Sequence, residues 1–201
     1  MSVTWAIIPV RSLDSGKTRL AEHLQKSERK ELIRFLLERL LNLIKKVSSI
    51  DRCLVVSHDP NIHKMSKECG AEILDEKAPF NLNRAVTLAS KYVKKNGCER
   101  VIVIHSDLPL IEAHDIERIT ALGVEPPVMV ISPDRRNNGT NALLIDPIES
   151  FNFHYGENSF RLHLKEAKQK KYHIEIYNHI HTSLDLDYPE DLEFYNSYIK
   201  L

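Results

Sequence analysis

The sequence lacks the excess of positive charge that nucleic-acid-binding proteins carry. Among its 201 residues, Lys plus Arg and Asp plus Glu each number 28, so the formal net charge is zero, whereas bulk binding of nucleic acid needs a basic surplus. No apolar stretch approaches the roughly 20 residues that span a membrane, and the apolar run near the N-terminus is too short for a signal peptide. We therefore expect a cytoplasmic protein with no nucleic-acid and no membrane partner.

Cysteine is also scarce. Cys53, Cys69 and Cys98 are odd in number and far apart, which predicts reduced thiols rather than a disulfide framework. None of the ten histidines stands in a zinc-type array with cysteines. His179 and His181 could together ligate a metal, although surface and packing roles are commoner for such a pair. Internal repeats, low-complexity tracts and linkers are missing, so we predict one domain over residues 1–201.

Short apolar segments alternate with amphipathic ones along the chain. We predict strands at residues 3–10, 53–57, 71–74, 100–104, 128–131, 142–145 and 173–177. We predict helices at residues 27–48, 60–69, 81–95, 112–121, 158–170 and from 189 onwards. Ser27 is expected to cap the first helix, Gly70 and Gly123 to end two others, and Pro189 to start the last. The alternation predicts a three-layer α/β/α fold with a mostly parallel central sheet, which binds ligands at the carboxyl ends of its strands.

A basic loop follows the first predicted strand. Arg11, Lys17 and Arg19 surround Gly16; the glycine lets the backbone approach a polyphosphate, and the cations offset its charge. The ordinary alternative is a solvated basic loop. A P-loop is disfavoured, because its pattern needs a second glycine five residues before Gly16, and Arg11 stands there.

Carboxylates occur at two places that suit a metal. Asp107 follows a buried strand, where an unpartnered carboxylate would be costly. Asp185 and Asp187 alternate with Leu184 and Leu186, so an extended segment puts both carboxylates on one face. Oxygen ligands of this kind suit Mg²⁺, whose shell substrate phosphates complete. Asp187 could instead cap the last helix, and both roles can coexist.

The chain resembles the 2-phospho-L-lactate guanylyltransferase family of coenzyme F-420 biosynthesis. The matching segments are IPVR at 8–11, GKTRL at 16–20, NLNRA at 81–85, SDLPL at 106–110, NGTNALL at 138–144 and YGENSFRLH at 155–163. The last two are the most specific, and together the segments extend over nearly the whole length. The chain departs from the family pattern with Arg11 for Lys, Gly16 for Ala, and Ser106 and Asn138 for Gly; Arg11 keeps the charge but changes the donor geometry.

The resemblance implies a Rossmann-like fold of the nucleotide-diphospho-sugar transferase type. It implies transfer of GMP from GTP to 2-phospho-L-lactate, or to phosphoenolpyruvate, with release of pyrophosphate, and it makes a homodimer an expectation. Mg²⁺ is the implied cofactor. The implied residues are Lys17 and Asp107 for catalysis, Arg11, Lys17, Arg19 and Asn83 for GTP, Asp107, Asp185 and Asp187 for metal, and Thr140, Gly156 and Ser159 for the acid substrate. A predicted helix start at Asn158 would add backbone N–H groups for that anion.

Other functions stay open on the sequence. One alternative is guanylyl transfer to the molybdenum cofactor or nucleotidyl transfer to a sugar phosphate. Another is a nucleotide-binding regulator without turnover, which is disfavoured because the lysine and the metal carboxylates are all present. The sequence alone does not separate 2-phospholactate from phosphoenolpyruvate.

Overall fold

Seven β-strands form the central sheet of the structure, a computed structural model that describes residues 3–77 and 79–200. The strands are β1 Thr4–Pro9, β2 Arg52–Ser57, β3 Glu72–Asp75, β4 Arg100–Ile104, β5 Val128–Pro133, β6 Thr140–Asp146 and β7 His173–Ile176. Their order in the sheet is β3-β2-β1-β4-β6-β5-β7. Strand β6 runs antiparallel to both of its neighbours, and the other pairs are parallel. The predicted mostly parallel sheet is confirmed.

Helices cover both faces of this sheet. They are α1 Lys26–Ile44, α2 Pro60–Glu68, α3 Leu82–Lys95, α4 Ala113–Leu122, α5 Ser159–Gln169, α6 Ile180–Ser183 and α7 Pro189–Tyr198. Apolar side chains of α3 and α5 pack on one face, and those of α1, α2 and α4 pack on the other. The predicted three layers are therefore present.

Strand β4 shows why the central strands contain continuous apolar runs. Val101 and Val103 point into the core beneath α3, whereas Ile102 and Ile104 point into the core beneath α1 and α4. Successive side chains of a strand face opposite sides, so a sheet covered on both faces needs continuous apolar runs.

The start and end of α1 differ from the prediction. The helix begins one residue before Ser27, because Gln25 is the N-cap and its backbone N–H donates to Glu28 Oε2 at 2.7 Å. It ends at Ile44 rather than near 48, where a turn takes over with Val47 N–H bonded to the Ile44 carbonyl. Two short elements, α6 and a 3-10 turn over Thr18–Leu20, were not predicted, because a single turn is too short to show a helical period.

Other boundaries agree closely with the sequence. Gly70 has a φ of +75° just beyond α2, and its N–H bonds to the Lys67 carbonyl at 2.8 Å, as in helix ends that use a left-handed residue. Gly123 is the C-cap of α4, and Pro189 is the first residue of α7. No helix within the described ranges is long and apolar enough to span a membrane.

The reversed strand β6 decides what meets at the carboxyl edge of the sheet. The loops after β1 and β4 lie there, as expected for a parallel sheet. Because β6 runs the other way, its first residue, Thr140, lies at the same edge, where the His105 N–H bonds to the Asn141 carbonyl. The chain returns to this edge after β7, so the 184–187 segment also reaches it.

Candidate active site

A cleft of about 330 Å³ opens at the carboxyl edge of the sheet, within the range of ordinary small-molecule sites. Its lining carries cations and carboxylates that are in direct contact with one another. The remaining wall is apolar. Its lining includes Arg11, Gly16, Lys17, Thr18, Arg19, Ile33, Leu36, Phe80, Leu82, His105, Ser106, Asp107 and Asp187. This charge distribution suits a polyphosphate joined to a flat apolar group.

Lys17 joins the basic loop to both acidic segments. Its ammonium nitrogen bonds to Asp107 Oδ2 and, at 2.8 Å, to Asp187 Oδ1. Arg19 Nη1 reaches Asp187 Oδ2 at 3.1 Å from the more exposed side. Lys17 has a φ of 55°, the left-handed conformation that is uncommon for residues other than glycine and that clusters at functional sites.

The leucines of the acidic segment anchor its carboxylates beside Asp107. Leu184 and Leu186 are fully buried, which confirms the predicted alternation, and the Leu186 N–H donates to the Asp107 carbonyl at 3.2 Å. Asp185 accepts a hydrogen bond from Asn141 Nδ2 at 3.4 Å. The loops that follow β4 and β7 are thereby held together.

Burial and charge act in opposite directions on the protonation of this cluster. Burial alone would lower the pKa of Lys17 and raise that of Asp107. The contacts between the two groups outweigh it, so the Lys17 pKa is raised and the Asp107 pKa is lowered. Asp185 differs, because burial and the neighbouring Asp107 and Asp187 charges raise its pKa to about 7. Three clustered carboxylates therefore favour an additional cation.

Asp187 does not cap α7. The N-cap is Tyr188, whose backbone N–H donates to Asp191 Oδ2 in the first turn of the helix at 2.8 Å. Arg136 Nη2 bonds to Asp191 Oδ1 at 3.1 Å. The Asp187 carboxylate is left to face the two cations of the basic loop.

A buried trio of polar side chains lies beside the cleft. Ser159 Oγ donates to Thr140 Oγ1 at 3.2 Å, and Thr140 Oγ1 lies 3.0 Å from His163 Nδ1. His163 Nε2 accepts the His154 backbone N–H at 2.9 Å, so a neutral ring carries its proton on Nδ1 and donates it to Thr140. Burial lowers the pKa of His163 to about 3, which keeps the ring neutral. Thr140 thus accepts twice, and its own hydroxyl proton is not used within the trio.

The start of α5 is arranged differently from the predicted anion site. The Asn158 N–H donates to Asn138 Oδ1 at 3.1 Å, and the Phe160 N–H donates to the Asn138 carbonyl at 3.2 Å. Gly156 is exposed, with a φ of +120°. Two of the amides expected to be free are thus occupied by residue 138. Only the bond to Oδ1 depends on asparagine standing where the family pattern has glycine, because the Phe160 bond uses the backbone carbonyl.

Asn83 connects two elements. Its Nδ2 donates to the Tyr155 carbonyl at 2.9 Å, and its Oδ1 accepts the Tyr155 N–H at 2.7 Å. The first turn of α3 is thereby tied to the 151–158 segment. The preceding residue of that turn, Leu82, lines the cleft.

The structure groups the predicted residues into two sets. Five of them line the cleft: Arg11, Lys17, Arg19, Asp107 and Asp187. Asp185 adjoins this set through its carboxylate neighbours. Among the described residues, Asn83, Thr140, Gly156 and Ser159 lie outside the cleft lining. The two sets are connected by His105, whose ring lies 5.4 Å from that of Tyr155, which is 4.9 Å from that of His163.

Sequence reasoning missed two histidines at this site. His163 follows Ser159 by four residues, and in a helix that spacing puts both on one face, so the YGENSFRLH segment contained a usable signal. His105 lines the cleft next to the strand end, and burial lowers its pKa. Nothing in the sequence around His105 distinguishes it from a packing residue.

Comparison with known proteins gives one consistent set of matches. Residues 4–195 match the protein family described as "Guanylyl transferase CofC like". The chain is 33% identical over 186 residues to the phosphoenolpyruvate guanylyltransferase of Thermobaculum terrenum, covering 92% of this chain and 80% of that protein. It is 37% identical over 187 residues to the 2-phospho-L-lactate guanylyltransferase of Methanocaldococcus jannaschii, covering 92% and 79%. Its fold is similar to that of a Desulfovibrio desulfuricans protein described as a nucleotide-diphospho-sugar transferase, with a TM-score of 0.79 and 14% identity, covering 100% of this chain and 89% of that one. The last match confirms the predicted fold type.

Proposed function

Because the chain belongs to the guanylyl transferase CofC-like family, we propose that it transfers GMP from GTP to the phosphate of a small phosphorylated carboxylic acid. The acid is 2-phospho-L-lactate or phosphoenolpyruvate, the two acceptors named for its relatives, and the product would serve coenzyme F-420 biosynthesis. The observation that carries this proposal is the cleft in which the Lys17 ammonium meets the Asp107 and Asp187 carboxylates.

The reaction needs charge neutralisation more than proton transfer. A phosphate oxygen of the acid attacks the α-phosphorus of GTP, the bond to the β-phosphate oxygen breaks, and pyrophosphate leaves. The attacking phosphate is already an anion at neutral pH, so no general base is required. Catalysis then depends on positioning and on preorganised cations around the reacting phosphates.

Arg11, Lys17 and Arg19 are proposed to hold the β- and γ-phosphates of GTP. All three line the cleft, and both arginines are exposed to it. A lysine binds phosphate as a point charge, whereas arginine offers a planar pair of donors. Asn83 is proposed to support GTP from the start of α3.

The carboxylates fit a divalent metal. Asp107 Oδ1 is buried and has no hydrogen-bond partner among the described residues, and such an oxygen needs a donor or a cation. Asp107 with Asp185 or Asp187 would hold Mg²⁺, which prefers oxygen ligands. When bound, the metal would neutralise charge on the substrate phosphates.

Thr140, Gly156 and Ser159 are proposed to form the acid subsite. The support is the orientation of the trio, since Thr140 accepts from both Ser159 and His163 and keeps its own proton for an anion. The exposed Gly156, without a side chain, lets a ligand approach the backbone beside them.

Pyrophosphate release tests the function directly. The protein is incubated with GTP, Mg²⁺ and either acid, with parallel reactions that omit the acid or replace it by a sugar phosphate. We expect pyrophosphate only when a phosphorylated carboxylic acid is present. Release with the sugar phosphate alone would indicate a different nucleotidyltransferase, and no release with any acceptor would indicate a regulator.

A further inference from the structure

A second cluster of metal-ligand side chains lies outside the cleft. It consists of Asp115 at the start of α4, His179 and His181. His179 Nδ1 lies 3.2 Å from Asp115 Oδ1, and His181 Nδ1 lies 3.2 Å from Asp115 Oδ2. One ligand atom from each residue falls within 4.8 Å of the others. None of the three residues lines the cleft.

The carboxylate of this cluster is held firmly in place. Asp115 is fully buried. Its Oδ1 accepts from the Tyr177 hydroxyl at 2.8 Å, and its Oδ2 accepts from the Glu112 backbone N–H at 2.8 Å. Metal-binding carboxylates are commonly oriented by such outer hydrogen bonds.

The two histidines complete an accessible site. The His179 and His181 rings stand 4.4 Å apart and nearly perpendicular. Their side chains are 44% and 21% exposed, so an ion could enter from solvent. In a tetrahedral site with bonds of about 2.0–2.1 Å, neighbouring ligand atoms lie about 3.3 Å apart. The two nitrogen–oxygen distances of 3.2 Å are close to that separation, although each goes to a different oxygen of Asp115. One ligand atom from each of the three residues lies within 4.8 Å of the other two, so a small adjustment brings them to a common ion.

We propose that Asp115, His179 and His181 bind a zinc-type divalent transition metal, with the fourth position open to water. Imidazole nitrogen suits zinc and its neighbours among the transition metals, whereas Mg²⁺ prefers oxygen alone. The cluster is therefore chemically distinct from the all-carboxylate site of Asp107, Asp185 and Asp187.

The position of the metal indicates its effect. Asp115 belongs to α4, while the two histidines lie between β7 and the segment that carries the acidic residues of the cleft. A bound ion would fasten this segment to α4, whereas the Leu186–Asp107 hydrogen bond fastens it to the loop after β4. We expect zinc to raise the melting temperature without taking part in the reaction.

Zinc titration tests the site. The chelator-treated protein is titrated calorimetrically with Zn²⁺ in an excess of Mg²⁺, which occupies oxygen-only sites. We expect one zinc per chain for the native sequence and for Asp107→Asn. His179→Gln and His181→Gln should each lower zinc affinity at least 100-fold, since loss of an outer hydrogen bond alone costs about 10- to 100-fold.

A matched control is available on β7. His173 Nε2 lies 2.8 Å from Glu175 Oε1 in an exposed pair, so His173→Gln removes a histidine with a carboxylate neighbour and should leave zinc affinity unchanged. Melting of each zinc-free variant establishes that it is folded. Equal zinc affinity of the native protein and both cluster variants would overturn the proposal, and would mean that the cluster is held by hydrogen bonds alone. Loss of zinc binding in Asp107→Asn would overturn it too.

Discussion

Lys17 shows how much one residue contributes to the charge balance of the cleft. Its side chain is only 7% exposed, and a buried ammonium is tolerated only with partners. Asp107 and Asp187 supply them from loops 90 and 170 residues away in sequence. Without this cation the carboxylates would repel one another, so Lys17 offsets part of the negative charge that a metal ion would also offset.

Asp107→Asn is expected to leave the fold intact and to lower turnover at saturating Mg²⁺ by about 10²–10³-fold, the usual loss for one stabilising group at developing charge. The amide keeps the shape and can still accept from Lys17, but loses a negative charge. Steady-state pyrophosphate release measures the effect, with the exposed Asp75→Asn as the matched control. Near-native turnover would exclude Asp107 as a ligand.

Thr140→Val and Ser159→Ala are expected to raise KM for the acid by roughly ten- to a hundred-fold, because a hydrogen bond to a charged group contributes about 1.5–3 kcal/mol. Thr140→Val should have the larger effect, since its proton is the one left for the ligand. GTP binding should barely change. KM is measured for each substrate separately, after melting curves confirm folding. An equal loss for GTP, or no change for either ligand, would place the acid elsewhere.

The buried His163 side chain should make the free energy of unfolding depend on pH. Its pKa is about 3 in the buried site and about 6.5 in an unfolded chain. Between these values the unfolded state binds more protons, so stability falls as the pH falls. From pH 7 to pH 5 the ring contributes a loss of about 2 kcal/mol. Urea unfolding at both pH values should show a smaller loss in His163→Gln than in the exposed control His173→Gln; equal losses would contradict the assignment.

At the scale of elements, hydrogen bonds between Asn83 at the start of α3 and Tyr155 connect the two sets of predicted site residues. The Asn83 amide bonds to both backbone groups of Tyr155, and Leu82 in the same turn lines the cleft. Tyr155 in turn packs against His105 and His163. A shift of α3 would therefore move residues of both proposed substrate sites.

Asn83→Ala is expected to lower the free energy of unfolding by about 1–3 kcal/mol, because it leaves two backbone groups of Tyr155 without partners. Denaturant titration measures this, with Asn96→Ala at the exposed far end of α3 as the control. GTP affinity of the folded variant then decides the binding role of Asn83. An unchanged affinity would remove it from the GTP set, while unchanged stability would show that the bridge contributes nothing.

Sequence patterns predicted the strands and most helices because each has a clear period or a capping residue. The loop of Lys17 and the loop of Asp107 were expected at one edge because each follows an apolar strand, and Asp187 was expected to face outward because it alternates with leucines. The structure brings the three side chains together, and their roles stay predictions. The reversal of β6 was not predictable, because an apolar run buried on both faces looks the same in either direction. The partners of Thr140 and Asn83 depend on contacts between distant segments, which local patterns do not specify.

At the scale of the whole molecule, the zero net charge means that nucleotide recognition depends on the local cleft rather than on a general attraction. Three cations and an apolar wall surround one opening. Contacts to the phosphates alone would bind every nucleoside triphosphate equally well. Discrimination between bases must therefore come from the wall and the loops around it.

The melting temperature, Tm, of the protein measures how tightly each nucleotide binds to the folded state. A ligand that binds only the native state at 100 times its Kd stabilises it by about 2.7 kcal/mol, and each kcal/mol raises Tm by about 2–4 °C for a chain of this length. GTP with Mg²⁺ at that level should raise Tm by about 5–10 °C. CTP at the same concentration should raise it by less, because it keeps the triphosphate contacts but not those of the purine. Lys17→Ala should reduce the shift for both nucleotides. Equal Tm shifts for GTP and CTP in the native protein would show that the cleft binds the two nucleotides only through their phosphates. Any selection of guanine would then require the bound acid.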